Sequence, residues 1–214
     1  MDGKVTLLLV DDHAIVREGY RALLKKQPGL EVIAEAIDGK QAYQQYKLYS
    51  PDVIIMDLSL PGQSGIETIA HIKQRNSAAK ILVFTMHQNP RFAALAINAG
   101  ALGYVTKSSP PEVLLNAIRE VYAGRRVLSP DMAQALALEK TGHEKTALES
   151  LTTREFEILR LLAEGKAKEE IAQLLNISPK TVSNCHYLIK GKIGVASDIE
   201  LVHWAIKMQV IDNH

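Results

Sequence analysis

Val5-Thr6-Leu7-Leu8-Leu9-Val10-Asp11-Asp12-His13 opens the chain with an unbroken apolar run that ends on two carboxylates. Three further runs end in the same way on a polar, reactive side chain. Val53-Ile54-Ile55-Met56 leads to Asp57, Ile81-Leu82-Val83-Phe84 to Thr85, and Leu102-Gly103-Tyr104-Val105-Thr106 to Lys107. Apolar runs of this length, alternating with helical patterns, specify parallel strands buried on both faces. In such sheets the carboxyl ends of the strands line one crevice. Asp11, Asp12, Asp57, Thr85 and Lys107 are therefore expected to meet in a single pocket of three carboxylates, one hydroxyl and one ammonium.

Crowded carboxylates repel one another, and a divalent cation relieves that repulsion. All-oxygen donors suit Mg²⁺. The hydroxyl and the ammonium can then hold the oxygens of an incoming phosphoryl group. Together these are the parts needed to phosphorylate an aspartate: a carboxylate nucleophile, a metal site and donors for the transferred group.

Val10-Asp11-Asp12-His13, Met56-Asp57-Leu58-Ser59-Leu60-Pro61-Gly62, Phe84-Thr85 and Gly103-Tyr104-Val105-Thr106-Lys107 resemble the receiver domain of two-component response regulators, over residues 4–123. The resemblance implies that Asp57 is the phospho-acceptor. It implies that Asp11, Asp12 and Asp57 hold Mg²⁺ together with the backbone carbonyl of Ser59. Thr85 and Lys107 would contact the phosphoryl group, and Tyr104 would be the aromatic switch. Ser59 and His87 would flank the phosphoryl site and tune its lifetime. Asp12 is also expected to cap the following helix, and His13 reads as a helix-start residue.

The chain has 214 residues and is 47% hydrophobic, enough for two modest cores. No apolar stretch approaches a membrane span, and the N-terminus lacks a signal-peptide pattern. The single Cys excludes an internal disulfide framework, which suits the cytoplasm. The formal net charge of +1 gives no hint of nucleic acid, and residues 149–214 carry eight basic against nine acidic side chains. Strong nonspecific DNA binding is therefore not expected.

The first half alternates strand and helix five times, which gives a doubly wound, five-stranded parallel α/β sheet. Its first helix, Ala14 to Lys26, offers Ile15, Tyr20, Leu23 and Leu24 to the core. Its last starts at Ser109-Pro110-Pro111-Glu112 and ends at Gly124. Residues 1–124 are assigned to this domain. Residues 125–148 read as a linker with a weak helix near Met132 to Glu139 and a polar stretch from Thr141 to Ser150.

Residues 149–214 read as a small all-α domain. Thr152 or Thr153 caps its first helix, and Ser178-Pro179 opens the third with Ser as cap and Pro at the first helical position. Leu151-Thr152-Thr153-Arg154-Glu155, Glu169-Glu170-Ile171-Ala172, Ile177-Ser178-Pro179-Lys180-Thr181-Val182 and Lys192-Ile193-Gly194-Val195 resemble the LuxR-type helix-turn-helix. The resemblance makes Lys180 to Lys192 the recognition helix. Ser183, Asn184, Tyr187 and Lys190 would face outward. Lys180, Thr181, Lys190 and Lys192 would reach phosphates, and Asn184 would read a base edge. Val182, Ile189 and Ile193 read as core. The family often has His where Cys185 stands; His186 lies about 100° further around the helix, so that His's role does not transfer. Gly191 within the helix costs roughly 1 kcal/mol relative to Ala. Leu201, Ala205 and Met208 form either a dimer face or part of their own domain's core.

The two resemblances together imply a DNA-binding transcriptional response regulator of the NarL/FixJ type. A sensor histidine kinase would be its phosphoryl donor, double-stranded DNA its target, and a homodimer its active form, with no membrane attachment. The rival enzyme reading is a phosphatase resembling the haloacid dehalogenase family. It needs a second acid two residues after the nucleophile, and that position is Ser59.

Overall fold

A computed structural model describes residues 4–61, 63–139, 147–208 and 210–211. Residues 141–146 of the polar stretch expected over 141–150, Gly62, and residues 209 and 212–214 of the assigned C-terminal domain lie outside them. The chain divides into two compact units, Met1–Lys140 and Thr141–His214.

In the first unit, strands β1 (Val5–Val10), β2 (Leu30–Ala36), β3 (Val53–Met56), β4 (Ile81–Thr85) and β5 (Gly103–Thr106) alternate with helices α1 (Ala14–Lys25), α2 (Gly39–Tyr49), α3 (Gly65–Arg75), α4 (Pro90–Ala99) and α5 (Pro111–Tyr122). All strand pairs are parallel, in the order β2-β1-β3-β4-β5. The chain winds outward in both directions from β1, so the β1–β3 boundary is the topological switch point where a crevice opens at the strands' carboxyl ends. The side-chain alternation of the strands then builds two cores. Leu7, Leu9, Ile55, Leu82, Phe84 and Val105 pack with Leu24 of α1 and Leu114, Ile118 and Val121 of α5. Leu8, Val10, Ile54, Met56, Val83 and Tyr104, also buried, occupy the opposite face, where α2, α3 and α4 lie.

Three expectations need correction. The sheet has a sixth strand, β6 (Val127–Leu128), paired with β5 at Gly103↔Val127 and Tyr104↔Leu128. A Cβ on Gly103 would lie 2.7 Å from Leu82, 2.8 Å from Val127 and 2.9 Å from Val121, so the lack of a side chain there lets β6 and α5 close on β5. Helix α6 (Pro130–Glu139) follows and packs on α4 and β5. The stretch read as linker thus begins with two elements folded onto the first unit. Second, Ile15 is 88% exposed. It stands about 140° around α1 from Tyr20, whose ring meets Phe84 edge-on at 4.6 Å, whereas its neighbour Val16 is half-buried. Third, the N-cap position of α1 is His13 rather than Asp12, and it makes no side-chain cap hydrogen bond. Asp12 is turned to the crevice instead.

The second unit begins with a 3-10 turn, Ala147–Ser150. It continues through α7 (Thr153–Ala163), α8 (Lys168–Leu174), α9 (Pro179–Ile193) and α10 (Asp198–Lys207). Thr152 and Glu155 form a reciprocal capping box at α7, and the Ser178 hydroxyl caps α9 ahead of Pro179. The α8–α9 turn is tight enough to hold Asn176 at φ 49°. Phe156, Leu159, Ile171, Val182, Ile189 and Ile193 form the core. Leu201 and Ala205 are buried with them, since α10 packs on α7. Of the two readings of those residues, the structure supports folding back on their own domain.

Candidate functional site

The ends of β1, β3 and β5 bring Asp11, Asp57 and Lys107 into direct contact. Lys107 Nζ donates to Asp11 Oδ2 and to Asp57 Oδ2, each at 2.6 Å. Both carboxylates are only 3% exposed. The remaining oxygens are also committed. Asp57 Oδ1 accepts the backbone N–H of Leu58 at 2.6 Å and, more weakly, that of Ser59 at 3.3 Å. Asp11 Oδ1 accepts the N–H of His13 at 2.9 Å. Arg17, on α1, donates to the Asp11 carbonyl at 2.7 Å and to Glu35 of β2 at 2.9 Å, which fixes the backbone that aims Asp11.

Electrostatics follow from that crowding. Burial alone would lower the Lys107 ammonium's pKa, but Asp57 and Asp11 outweigh it and hold it above the ordinary lysine value. Asp12 is pushed above the usual carboxylate value, first by burial and then by Asp11 and Asp57, with His13 opposing. Ligating atoms of Asp11, Asp12, His13 and Asp57 all lie within 4.8 Å of one another. His13 is the member that sequence reasoning set aside: its Nδ1 is 2.8 Å from Asp12 Oδ1.

Gly65 is a second omission. A Cβ there would stand 2.1 Å from the Asp57 carbonyl oxygen, so the N-terminus of α3 can lie against Asp57 only because that residue is glycine.

A second tier surrounds the pocket. Thr85 is fully buried at the end of β4, and its carbonyl accepts the Lys107 N–H at 2.8 Å. Ser59 Oγ and His87 Nε2 are 2.9 Å apart, a side-chain hydrogen bond that neither residue's position in sequence announces. The His87 ring stacks on Phe92 at 4.1 Å. Tyr104 is fully buried, and its hydroxyl donates to the His87 carbonyl at 2.9 Å. Burial first, then Asp57 and Asp131, push its phenol far above the ordinary value.

In the second unit, α9 presents Lys180, Thr181, Ser183, Asn184 and Tyr187 to solvent, Tyr187 at 77% exposure. Leu188, which sequence reasoning did not single out, joins that face at 51%. Val182, Ile189 and Ile193 point inward. The lysines of the last turn are engaged: Lys190 Nζ is 3.0 Å from Asp198, and Lys192 Nζ is 2.7 Å from Glu155. Lys190, expected to face outward, is three-quarters covered. His186 is buried with its Nε2 2.9 Å from Asp198, and burial lowers its pKa despite that carboxylate. Burial first, then Glu155, raise the Cys185 thiol above its ordinary value.

Comparison with known proteins agrees with this arrangement. Residues 7–119 match the response regulator receiver domain family, and residues 149–205 match the luxR family of bacterial regulatory proteins. Response regulator UvrY of Escherichia coli (strain K12) is 38% identical over 205 residues, covering 95% of this chain and 94% of its own. Oxygen regulatory protein NreC of Staphylococcus carnosus (strain TM300) is 37% identical over 214 residues, covering 96% and 99%. Among solved structures, the RcsB response regulator of Salmonella typhimurium matches 96% of this chain and 98% of its own, with a TM-score of 0.74 at 29% identity. A LuxR-family two-component response regulator from Aurantimonas sp. SI85-9A1 is 53% identical and matches with a TM-score of 0.64. It covers 65% of this chain and 100% of its own.

Proposed function

The chain belongs to the two-component response regulators that carry a LuxR-type DNA-binding domain, and on that premise we propose that a sensor histidine kinase controls its binding to double-stranded DNA by phosphorylating Asp57. The observation that carries the proposal is Lys107 bridging Asp11 and Asp57 at 2.6 Å each, with its backbone N–H held by the Thr85 carbonyl. An Asp57 carboxylate oxygen attacks the phosphorus, and the P–N bond to the kinase histidine breaks as the P–O bond forms. Lys107 and the Thr85 hydroxyl then hold phosphoryl oxygens. The carboxylates of Asp11, Asp12 and Asp57 form an oxygen donor set that fits Mg²⁺, and the family resemblance adds the Ser59 carbonyl to it. Bound there, Mg²⁺ would neutralise charge on the transferred group. Tyr104, fully buried with its hydroxyl on the His87 carbonyl, is the aromatic switch that responds to phosphorylation.

In this reading residues 1–124 form the receiver, 149–214 bind DNA, and 125–148 connect them, with β6 and α6 folded onto the receiver. The protein works in the cytoplasm; no helix among the described residues is long and apolar enough to cross a membrane. It is not an enzyme. Ser59 stands where a haloacid dehalogenase-type phosphatase needs its second acid. RcsB has been solved as a DNA complex and as two dimers bound to two parallel DNAs. By that likeness this chain acts as a homodimer on paired half-sites. Incubation with Mg²⁺ and acetyl phosphate should label Asp57 and raise the mass in solution from monomer to dimer. Absence of labelling would overturn the proposal.

The Ser59–His87 hydrogen bond supports a role for that pair in the lifetime of the phosphoryl group. Changing both to Ala should leave labelling intact but alter the decay half-life by up to about tenfold, the kinetic equivalent of one hydrogen bond. Identical decay in wild type and double variant would remove them from the site.

On DNA, Asn184→Ala should relax base preference at one position per half-site, at a cost of roughly 1–3 kcal/mol. Lys190→Ala should weaken binding to every sequence and lower the salt slope by about 1. Lys180, Thr181 and Lys192 join Lys190 as phosphate contacts, while Ser183 and Tyr187 flank Asn184 on the reading face. Lys190 and Lys192 must exchange Asp198 and Glu155 for phosphates on binding. Selection from random DNA at two salt concentrations separates the two effects; an unchanged motif for Asn184→Ala would mean that another face of α9 reads the bases.

A further inference from the structure

Thr106, the last residue of β5, precedes Lys107 and is fully buried. It pairs in register with Thr85. Neighbours in register share a sheet face, so the Thr85 and Thr106 side chains lie side by side, on the face that also carries Tyr104. Thr106 Oγ1 donates to Asp131 Oδ2 at 2.9 Å. A hydroxyl has one proton, so Thr106 must accept from its other partners, Ser108 Oγ and Ser109 Oγ, each at 3.0 Å. Ser108 in turn meets Gln88 Nε2, from the β4–α4 segment, at 3.2 Å. Three hydroxyls and one amide are thus gathered around the turn that carries Lys107, and the carboxylate that terminates the network belongs to α6.

Asp131 lies in the first turn of α6, and the next residue, Met132, is buried where α6 packs on α4 and β5. Burial would raise the Asp131 carboxyl, yet its hydrogen bonds, with Ser129 first and Thr106 next, hold it below the ordinary value. It is therefore a charged acceptor at neutral pH. A first-turn acid also favours its own helix through the macrodipole. That general role does not require a bond to the residue beside Lys107.

We propose that Asp131 is a positioning residue: through Thr106 it fastens α6 to the turn that aims Lys107, so that the phosphoryl pocket and α6 hold each other in place. The proposal rests on the reading of Asp57 as phospho-acceptor and goes beyond it by naming the element that senses the change. When Lys107 leaves Asp11 and Asp57 for phosphoryl oxygens, the turn over residues 106–109 shifts, and the bond from Thr106 to Asp131 lengthens or breaks. Coupling between two sites is reciprocal. A loosened α6 must then alter the pocket as much as an occupied pocket loosens α6.

The test uses the full chain with Mg²⁺, with and without acetyl phosphate. Amide hydrogen exchange is read over residues 132–139, and labelling and decay are read at Asp57. In the wild type, phosphorylation should speed exchange across α6 by roughly fivefold, the equivalent of one hydrogen bond. Asp131→Ala and Thr106→Val should show that faster exchange without phosphorylation, gain little more with it, and change the decay half-life of the Asp57 phosphoryl group. Asp131→Asn keeps an acceptor oxygen and should restore both readouts toward wild type, which a helix that merely needs a negative charge in its first turn would not do. Normal labelling of the wild type with α6 exchange unchanged would overturn the latch and leave the phospho-acceptor reading standing. Wild-type decay in both Asp131→Ala and Thr106→Val would do the same. If the wild type takes no label, the phospho-acceptor reading falls first and the latch falls with it.

Discussion

Asp57→Asn should abolish Mg²⁺-dependent labelling by acetyl phosphate while the chain keeps its fold. The amide has the shape of the carboxylate but no anionic oxygen to attack phosphorus, and loss of a nucleophile costs several orders of magnitude in rate. Stability should change far less, because two effects oppose. The substitution removes one of the two anionic partners of Lys107. It also removes a negative charge packed beside Asp11 and Asp12. Labelling is read by intact mass, and folding by thermal melting of the same samples. Wild-type labelling of the variant would show that another side chain accepts the phosphoryl group. A variant that neither labels nor folds would leave the chemistry to Asp57→Glu, which retains a carboxylate one methylene out of place and should label at a much reduced rate.

The pocket was legible in the sequence because strand ends are easily read. A buried parallel strand must be apolar along its whole length, so the first polar residue after each run marks the crevice. Asp11, Asp57, Thr85 and Lys107 were found in this way, and their contacts were not needed to find them. What escaped depends on partners distant in sequence. Strand β6 has two residues and therefore no periodicity; it exists because Gly103 leaves room for Val127. Ile15 is apolar but stands about 140° around α1 from Tyr20 and opposite Leu24, so apolarity alone does not put it in the core. Counting charges treats every lysine as free, whereas Lys190 and Lys192 meet Asp198 and Glu155 across helices. The Ser59–His87 bond and the Thr106–Asp131 bond each join residues more than 20 positions apart. No local pattern marks either.

Lys107→Ala should produce the largest loss of stability of any single change in the pocket, and Mg²⁺ should recover part of it. The ammonium is nearly enclosed, and it bridges two carboxylates that are themselves buried. Removing one member of a buried ionic cluster leaves uncompensated charge, at a cost of about 3–5 kcal/mol. One effect limits the loss. A divalent cation bound to the folded state alone stabilises it by mass action, so the deficit should shrink as Mg²⁺ rises through its dissociation constant. The wild type should lose the Lys107 contribution only at the alkaline end. Lys107 is held above the ordinary lysine value. Its contribution is therefore complete below about pH 10, the unfolded value, and is lost only as pH rises through the folded one. Urea titrations of both chains at pH 8, each with and without Mg²⁺, measure the deficit and its recovery. A loss below about 1 kcal/mol at pH 8 without Mg²⁺ would mean that solvent, rather than Lys107, balances the two carboxylates.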